Sequence, residues 1–479
     1  MAKSISKNSI FYLFYNVLNV IFPFISSMYV ARVLLPESIG EVAYAQNIVQ
    51  YFVIFSFLGI PTYALREISK DRDDKEALNK VYSELMIINF ISTIFFSIIY
   101  TVLVFTNFEN KKTLYFTVGL SIILNVFNNS WLFESLEEFQ YISIRNFIFK
   151  IVVFLGIIIL VKNENDYLIY AIMSVLGTVG NYFFNIVYSK KFVKIQFNGL
   201  NFKRHLKPIM YLVCVNLAIE IYTLVDTTML GMMCSKEHVA YYTYGSRINK
   251  IFIQVINTFT IVLVPRLSYY YKEKRMNEFS ELLTRTVKII LILSFPLIIG
   301  IQFVGTCLVC TLFGADYYNS AVVLRILSIV VLVSPIGYLL GSRVMLVSNR
   351  ENKMFFCVLV GAIVNLLGNY YLIPRYAENG AALASVMSEI VVMIIYVYRG
   401  RNVYKLRPIA NDIVKILIGC LIEFLWLFIC HELTENTLLC AVVQVCGSII
   451  AYFTVLVVLR EDVVLTYLGR IREKCNAKR

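Results

Sequence analysis

Charge is what this chain lacks most. Only 16% of its 479 residues are Asp, Glu, Lys or Arg, against about 25% in a soluble domain. With 59% hydrophobic residues and a mean hydropathy of +0.71, too few charges exist to cover a water-facing globule. Histidine is scarcer still. His205, His238 and His431 are all there is, which leaves little material for a metalloenzyme, and no cofactor or metal is expected. The C-x-x-C at Cys307 and Cys310 has no second pair to complete a site. Cys214, Cys357, Cys420 and Cys446 fall in apolar runs, where cysteine behaves as a small hydrophobe. A cleavage motif is missing too. Lys3 and Lys7 precede a span-length apolar stretch with no small-residue cleavage site behind it, so that stretch is expected to be a first span rather than a signal peptide.

What remains is a series of continuous apolar runs, each long enough to cross about 30 Å of hydrocarbon. Continuous rather than alternating runs are helices, because in lipid every backbone polar group must be satisfied within the segment or a closed barrel. The expected fold is an all-α membrane protein with about fourteen transmembrane helices. They lie at roughly 9–31, 41–64, 82–104, 113–134, 146–162, 167–189, 208–232, 239–264, 286–312, 318–346, 354–373, 379–399, 412–431 and 437–459. Most of the 44 Lys and Arg residues then fall on alternate connections and their flanks, Arg145 and Lys150 counted among them. The opposite side keeps Arg32, Lys111, Lys112, Lys162, Lys236 and Arg375. This asymmetry predicts cytoplasmic N- and C-termini in a bacterial inner membrane. It also accounts for the net charge of +13 as attraction to an anionic leaflet, with no nucleic-acid partner. Every outer loop is short, so the working surface must lie within the helical bundle.

An internal repeat supports that reading. Shifted by 200 residues, the segment Ile39 to Ile48 falls on Val239 to Ile248, with Tyr44 on Tyr244 and Ile48 on Ile248. The second span falls on the eighth, an even offset of six, so the copies point the same way, as in parallel-repeat transporters. The expected organisation is a six-helix half at 1–200, a second at 201–405, and two additional helices with a tail at 406–479, the halves enclosing a central cavity.

Three segments resemble bacterial polysaccharide-biosynthesis flippases. Ala31-Arg32-Val33-Leu34-Leu35-Pro36-Glu37-Ser38-Ile39-Gly40 is similar to the opening that leads into their second span. Trp131-Leu132-Phe133-Glu134-Ser135-Leu136-Glu137-Glu138-Phe139-Gln140-Tyr141 resembles the segment after their fourth, and Asn379-Gly380-Ala381-Ala382-Leu383-Ala384 the start of their twelfth. Leu35 stands where these proteins carry glycine, and Glu134-Ser135 where they carry Gln-Gly. The family comprises O-antigen and capsule repeat-unit flippases of the multidrug/oligosaccharidyl-lipid/polysaccharide exporter superfamily. The resemblance implies alternating-access translocation of a polyprenyl-pyrophosphate-linked oligosaccharide. It further implies membrane lipids as partners, a proton or sodium ion as coupling cation, and a polysaccharide polymerase acting afterwards. Spans thirteen and fourteen form a pair that permits a groove for a lipid tail.

Charges inside a bilayer are costly and therefore candidate functional groups. Span seven carries Glu220 and Asp226, and span eight returns with Arg247 and Lys250. Counted from their shared loop, Asp226 and Arg247 lie about 10 Å deep, and Glu220 and Lys250 about 17 Å. Two readings stand. Arg247 and Lys250 bind the substrate pyrophosphate, Arg through its planar fork, or they form neutralising pairs with Asp226 and Glu220. Arg325 in span ten lies deep enough to be a further cavity cation, the alternative being that its long stem snorkels outward. The repeat places Asn47 and Gln50 on the matching face of span two, where they suit sugar hydroxyls. Glu389 and Glu423 are mid-span carboxylates able to hold a coupling cation or to sit protonated and inert. A cation-coupled multidrug antiporter of the same superfamily is the alternative, although it favours an acidic cavity. A membrane polysaccharide polymerase is the weaker one, because it needs a large outer loop.

Overall fold

The computed structural model describes residues 19, 21–70, 74–261, 263–348, 350–401, 403–433 and 438–476. Among them every regular element is helical. The chain forms two compact units, Met1–Ala240 and Tyr241–Arg479.

Unit 1 begins with α1 (Ile21–Val30), the described part of the first expected span. Residues 9–18 and 20 of that span lie outside the described residues. Next come α2 (Pro36–Phe57) and α3 (Ile60–Lys70). Leu58 and Gly59 between them adopt left-handed φ of 50° and 67°, and Pro61, which lacks an N–H, occupies the first turn of α3. Helix α4 (Lys75–Asn107) is capped by Asp74, whose carboxylate accepts from the Glu76 and Ala77 amides. After it run α5 (Lys112–Leu124), α6 (Ser130–Ser135) and α7 (Phe139–Leu160). Helix α8 (Tyr167–Val175) passes through a wide π turn at Leu176–Gly180 into α9 (Tyr182–Ser189). Helices α10 (Lys203–Met233) and α11 (Lys236–Ile261) complete the series, the latter ending in unit 2.

Polarity here is inverted relative to a soluble protein. Helix α4 exposes Phe90, Ile94 and Ile98 one turn apart and buries Ser83, Glu84, Asn89, Ser92 and Thr93. An apolar outside with polar residues turned inward suits lipid, where helices associate through packing and hydrogen bonds. One such bond set anchors α10. The fully buried Glu84 carboxylate accepts from Arg204 Nη2 at 2.5 Å and the Asn201 amide at 2.6 Å. His205 Nε2 lies 2.7 Å from it, with Nδ1 2.8 Å from the Tyr63 hydroxyl. Helices α3, α4 and α10 are thereby joined at one end.

Unit 2 contains α12 (Val264–Lys272), α13 (Met276–Phe313), α14 (Tyr318–Leu327) and α15 (Val330–Gly337). A second π turn at Tyr338–Arg343 leads into α16 (Val344–Val347). The 50-residue α17 (Glu351–Gly400) breaks at Ala377, where φ is 45° and ψ −124°. Gly380 there meets the backbone of Leu372, and Gly368 faces the side chain of Ala384. The chain therefore folds back on itself, giving two apolar helices at the places expected for spans eleven and twelve. Helices α18 (Ala410–Leu433) and α19 (Leu438–Val458) pack on each other and on α13, where Tyr452 donates to the Ile292 carbonyl at 3.0 Å. Helix α20 (Asp462–Asn476) follows.

Ten helices among the described residues are long and apolar enough to cross a membrane. The division between the two units falls within α11. One helix boundary differs from the sequence reading. Helix α7 starts at Phe139, not 146, because Arg145, Asn146 and Lys150 dilute the hydropathy of a helix that continues through them. Arg145 and Lys150 are therefore residues of a span-length helix and not of a loop.

Candidate functional site

Two adjoining cavities occupy unit 1. One, of about 280 Å³, is lined by Glu134 from α6, by Arg145, Asn146 and Lys150 from α7, and by Asn181 at the start of α9. Its wall also takes Phe57 and Pro61 at the α2–α3 break, and Gly177 and Thr178 from the π turn. Both helix irregularities thus border the site, as π turns often do. The second, of about 470 Å³, carries Gln46 and Gln50 from α2 with Asn125 and Ser174. The two share Phe57, Asn128, Thr178 and Tyr182, so they form a continuous polar interior.

Asn146 and Lys150 sit one turn apart on the same face of α7, a spacing at which side chains are neighbours. Asn181 donates to Asn146 Oδ1 at 2.6 Å, and Asn185 to Ser130 Oγ at 3.2 Å. Arg145 is only 8% exposed. Its charge acts on Glu134, and among the described residues the cavity has two cations against one carboxylate. Trp131 Nε1, Asn125 Nδ2 and Asn181 Oδ1 are buried without a hydrogen-bond partner among the described residues. Unsatisfied buried polar atoms are uncommon and call for an explanation. Amides, a hydroxyl and an indole N–H suit sugar hydroxyls, while Arg145 and Lys150 suit an anion such as phosphate.

The sequence-derived residues are spread over both units. Asn47, on α2, donates to the Leu224 carbonyl at 3.2 Å and to Thr228 Oγ1 at 2.7 Å on α10, so in this conformation its amide joins two helices. Gln50 lines the larger cavity. Asp226 is buried on α10, where its charge acts on Tyr51. Glu220 accepts from Thr223 Oγ1 at 3.3 Å. In unit 2, the Arg247 guanidinium lies 5.5 Å from the centre of the Tyr244 ring, and Lys250 is exposed on the same helix. Arg325, on α14, donates to Thr306 Oγ1 at 2.8 Å on α13. Glu389 lies half-buried on α17, and Glu423 on α18 is 2% exposed with its Oε2 lacking a partner among the described residues.

Sequence reasoning missed Arg145, Lys150 and the asparagines of the cavity wall. The available signal was the cluster of polar residues from Asn125 to Lys150, which spans the short breaks at 128–129 and 136–138.

Comparison with known proteins follows the same direction. The family model described as polysaccharide biosynthesis protein matches residues 5–271, and the MatE model matches residues 212–371. The capsular polysaccharide biosynthesis protein CapF of Staphylococcus aureus is 25% identical over 406 residues, covering 81% of this chain and 97% of that protein. The lipid II flippase MurJ, in an inward closed conformation, superposes with a TM-score of 0.75 at 17% identity, over 95% of this chain and 99% of its own. An inward-facing multidrug resistance MATE family transporter gives 0.65 at 14%, over 80% and 94%. At these identities the two structures establish the shared fold.

Proposed function

This chain belongs to the polysaccharide biosynthesis protein family, and on that premise we propose that it is a flippase. It carries a polyprenyl-pyrophosphate-linked oligosaccharide repeat unit from the cytoplasmic to the outer face of the bacterial inner membrane, for O-antigen or capsule assembly. The observation that carries this reading is the polar interior of unit 1, in which amides suited to a glycan adjoin Arg145 and Lys150 suited to a pyrophosphate. A site for cationic drugs would need the opposite balance of charge, which weighs against the multidrug antiporter.

Several finer elements belong to the proposal. Fourteen spans with cytoplasmic termini form halves at 1–200 and 201–405, with 406–479 as an addition. Helix α2 begins at Pro36 and α11 at Lys236, the 200-residue offset of the repeat. Arg247, Lys250 and Arg325 supply cations in the second half, with Asp226 and Glu220 as their charge partners, and Asn47 and Gln50 meet sugar hydroxyls. Glu389 or Glu423 holds a coupling proton or sodium ion, and a polymerase consumes the exported unit. The role is transport, not catalysis.

The test is deletion of the gene in its own host. Surface polysaccharide should disappear while lipid-linked repeat units accumulate at the cytoplasmic face. Unchanged surface glycan together with lost tolerance to cationic drugs would replace the proposal with the antiporter.

A further inference from the structure

A separate concavity of about 730 Å³ opens on the surface of unit 1 between α7 and α9. Ile144 and Ile148 of α7 and Phe184 and Val187 of α9 form its walls, and they are 45%, 54%, 49% and 56% exposed. One end is polar, where Glu138, Gln140 and Lys191 line it. There Tyr141 and Tyr188 stack with ring centres 3.7 Å apart and planes 9° from parallel. Two cations cover that pair. The Arg145 guanidinium is 5.3 Å from the Tyr141 ring centre, and the Lys191 ammonium 4.6 Å from that of Tyr188. From Ile144 to Ile148 the apolar wall rises about 6 Å, room for the part of a chain nearest its head group.

Apolar exposure alone would describe any lipid-facing surface. Arg145 makes this groove different, because it lines both the groove and the polar cavity behind it. A charged end, a short apolar shaft and a polar chamber thus all border one buried cation. A diacyl lipid brings two chains and a single small head group, and would leave the chamber unused. A single isoprenoid chain ending in a pyrophosphate and a glycan offers a chain to the shaft, an anion to Arg145 and hydroxyls to the chamber.

We infer that the α7–α9 groove is a lateral binding site for the isoprenoid chain of a polyprenyl pyrophosphate, with Arg145 at the point where the pyrophosphate passes into the cavity. The identity of the lipid rests on the flippase reading. The groove is built by α7 and α9 of unit 1 and not by α18 and α19, the pair expected from sequence to hold a lipid tail.

The experiment uses the full chain in nanodiscs and a polyprenyl pyrophosphate bearing a benzophenone in the isoprene units nearest the pyrophosphate. Adducts should map to Ile144, Ile148, Phe184 and Val187, and unlabelled polyprenyl pyrophosphate should compete for them where phosphatidylglycerol does not. Ile148→Trp and Val187→Trp should each lower groove labelling about tenfold by filling the space. Both sites are half-exposed, so membrane abundance should hold. Adducts confined to α18 and α19, or equal competition by phosphatidylglycerol, would overturn the groove. If the deletion strain nevertheless loses surface glycan, the flippase reading survives that result. Failure of any polyprenyl pyrophosphate to label the protein, with glycan intact in the deletion strain, would remove both.

Discussion

Replacing both cavity cations, Arg145→Gln with Lys150→Gln, should stop transport while leaving the protein in the membrane. The two cations line a chamber of about 280 Å³ whose one carboxylate is Glu134. A hydrogen bond from a charged side chain contributes about 1.5–3 kcal/mol, and every 1.4 kcal/mol is about tenfold in affinity. Loss of one cation should therefore weaken pyrophosphate binding on the order of 10–100-fold, and loss of both more. Glutamine keeps much of the side-chain length and can still donate to Asn146 or Asn181, so packing is preserved. The structural cost falls on Glu134, whose charge is acted on by Arg145. Removing one member of a buried pair costs about 3–5 kcal/mol, but Glu134 faces a chamber that water can fill, which places this case at or below the lower end. Should abundance fall, adding Glu134→Gln should restore it without restoring export, because the neutral chamber has no potential to draw a phosphate. The readings are membrane abundance by blot, surface polysaccharide, and binding of a polyprenyl pyrophosphate to purified protein. Normal export from an abundant double variant would refute the reasoning and return Arg145 and Lys150 to the role of inner-leaflet anchors.

In unit 2, Arg247→Ala and Lys250→Ala should each abolish surface glycan at unchanged abundance, with Arg247→Lys partly active because charge survives and the fork does not; normal export from both alanine variants would make these cations structural. Glu84→Ala should destabilise the chain by about 1.5–3 kcal/mol, since His205 and the half-exposed Arg204 lose their buried, charged acceptor; a blot showing wild-type abundance would contradict that. Gly40→Ala should also lower abundance, because a Cβ there overlaps the Lys236 carbonyl at the first turn of α11, and helix backbones yield little to overpacking. Reporter fusions after residues 75, 198, 275 and 405 should read cytoplasmic, and those at 108, 235 and 376 external, with one inverted pair enough to break the fourteen-span arrangement.

Much of the fold was legible because lipid imposes a single rule on each segment. A run of about twenty apolar residues has to be a helix that satisfies its own backbone, so α4, α13, α18 and α19 fall where hydropathy places them, whereas the span expected at 113–134 is interrupted between α5 and α6. The motif glycines were legible as motif and not as physics. Gly40 and Gly380 lie where one backbone meets another, which no hydropathy window registers. A break between residues 373 and 379 was expected from hydropathy, yet the left-handed turn at Ala377 has no residue type that announces it, since alanine rarely adopts positive φ. The breaks beside the cavity share that property. Leu58 and Glu137 also turn left-handed without being glycine, and each ends a helix where the chamber needs room.

The site was less legible, for a reason internal to the charge rule. A lysine or arginine near a span end is evidence of orientation, and one inside a span is evidence of function. The two differ by where the helix starts, which is the least certain quantity in a sequence. Beginning span five at 146 made Arg145 and Lys150 into anchors, whereas beginning α7 at Phe139 places them six and eleven residues into the helix. Asn146 could have arbitrated. An asparagine one turn from Lys150 gains nothing from a lipid-facing position, so a face carrying Asn146 and Lys150 has to look inward, toward the other asparagines of α9 and the α5–α6 connection. Polar residues that recur at helical spacing on several consecutive spans describe a chamber even where each alone reads as a helix end. In unit 1 that pattern, and not the deepest single charge, marks where a glycan and its phosphates can be held.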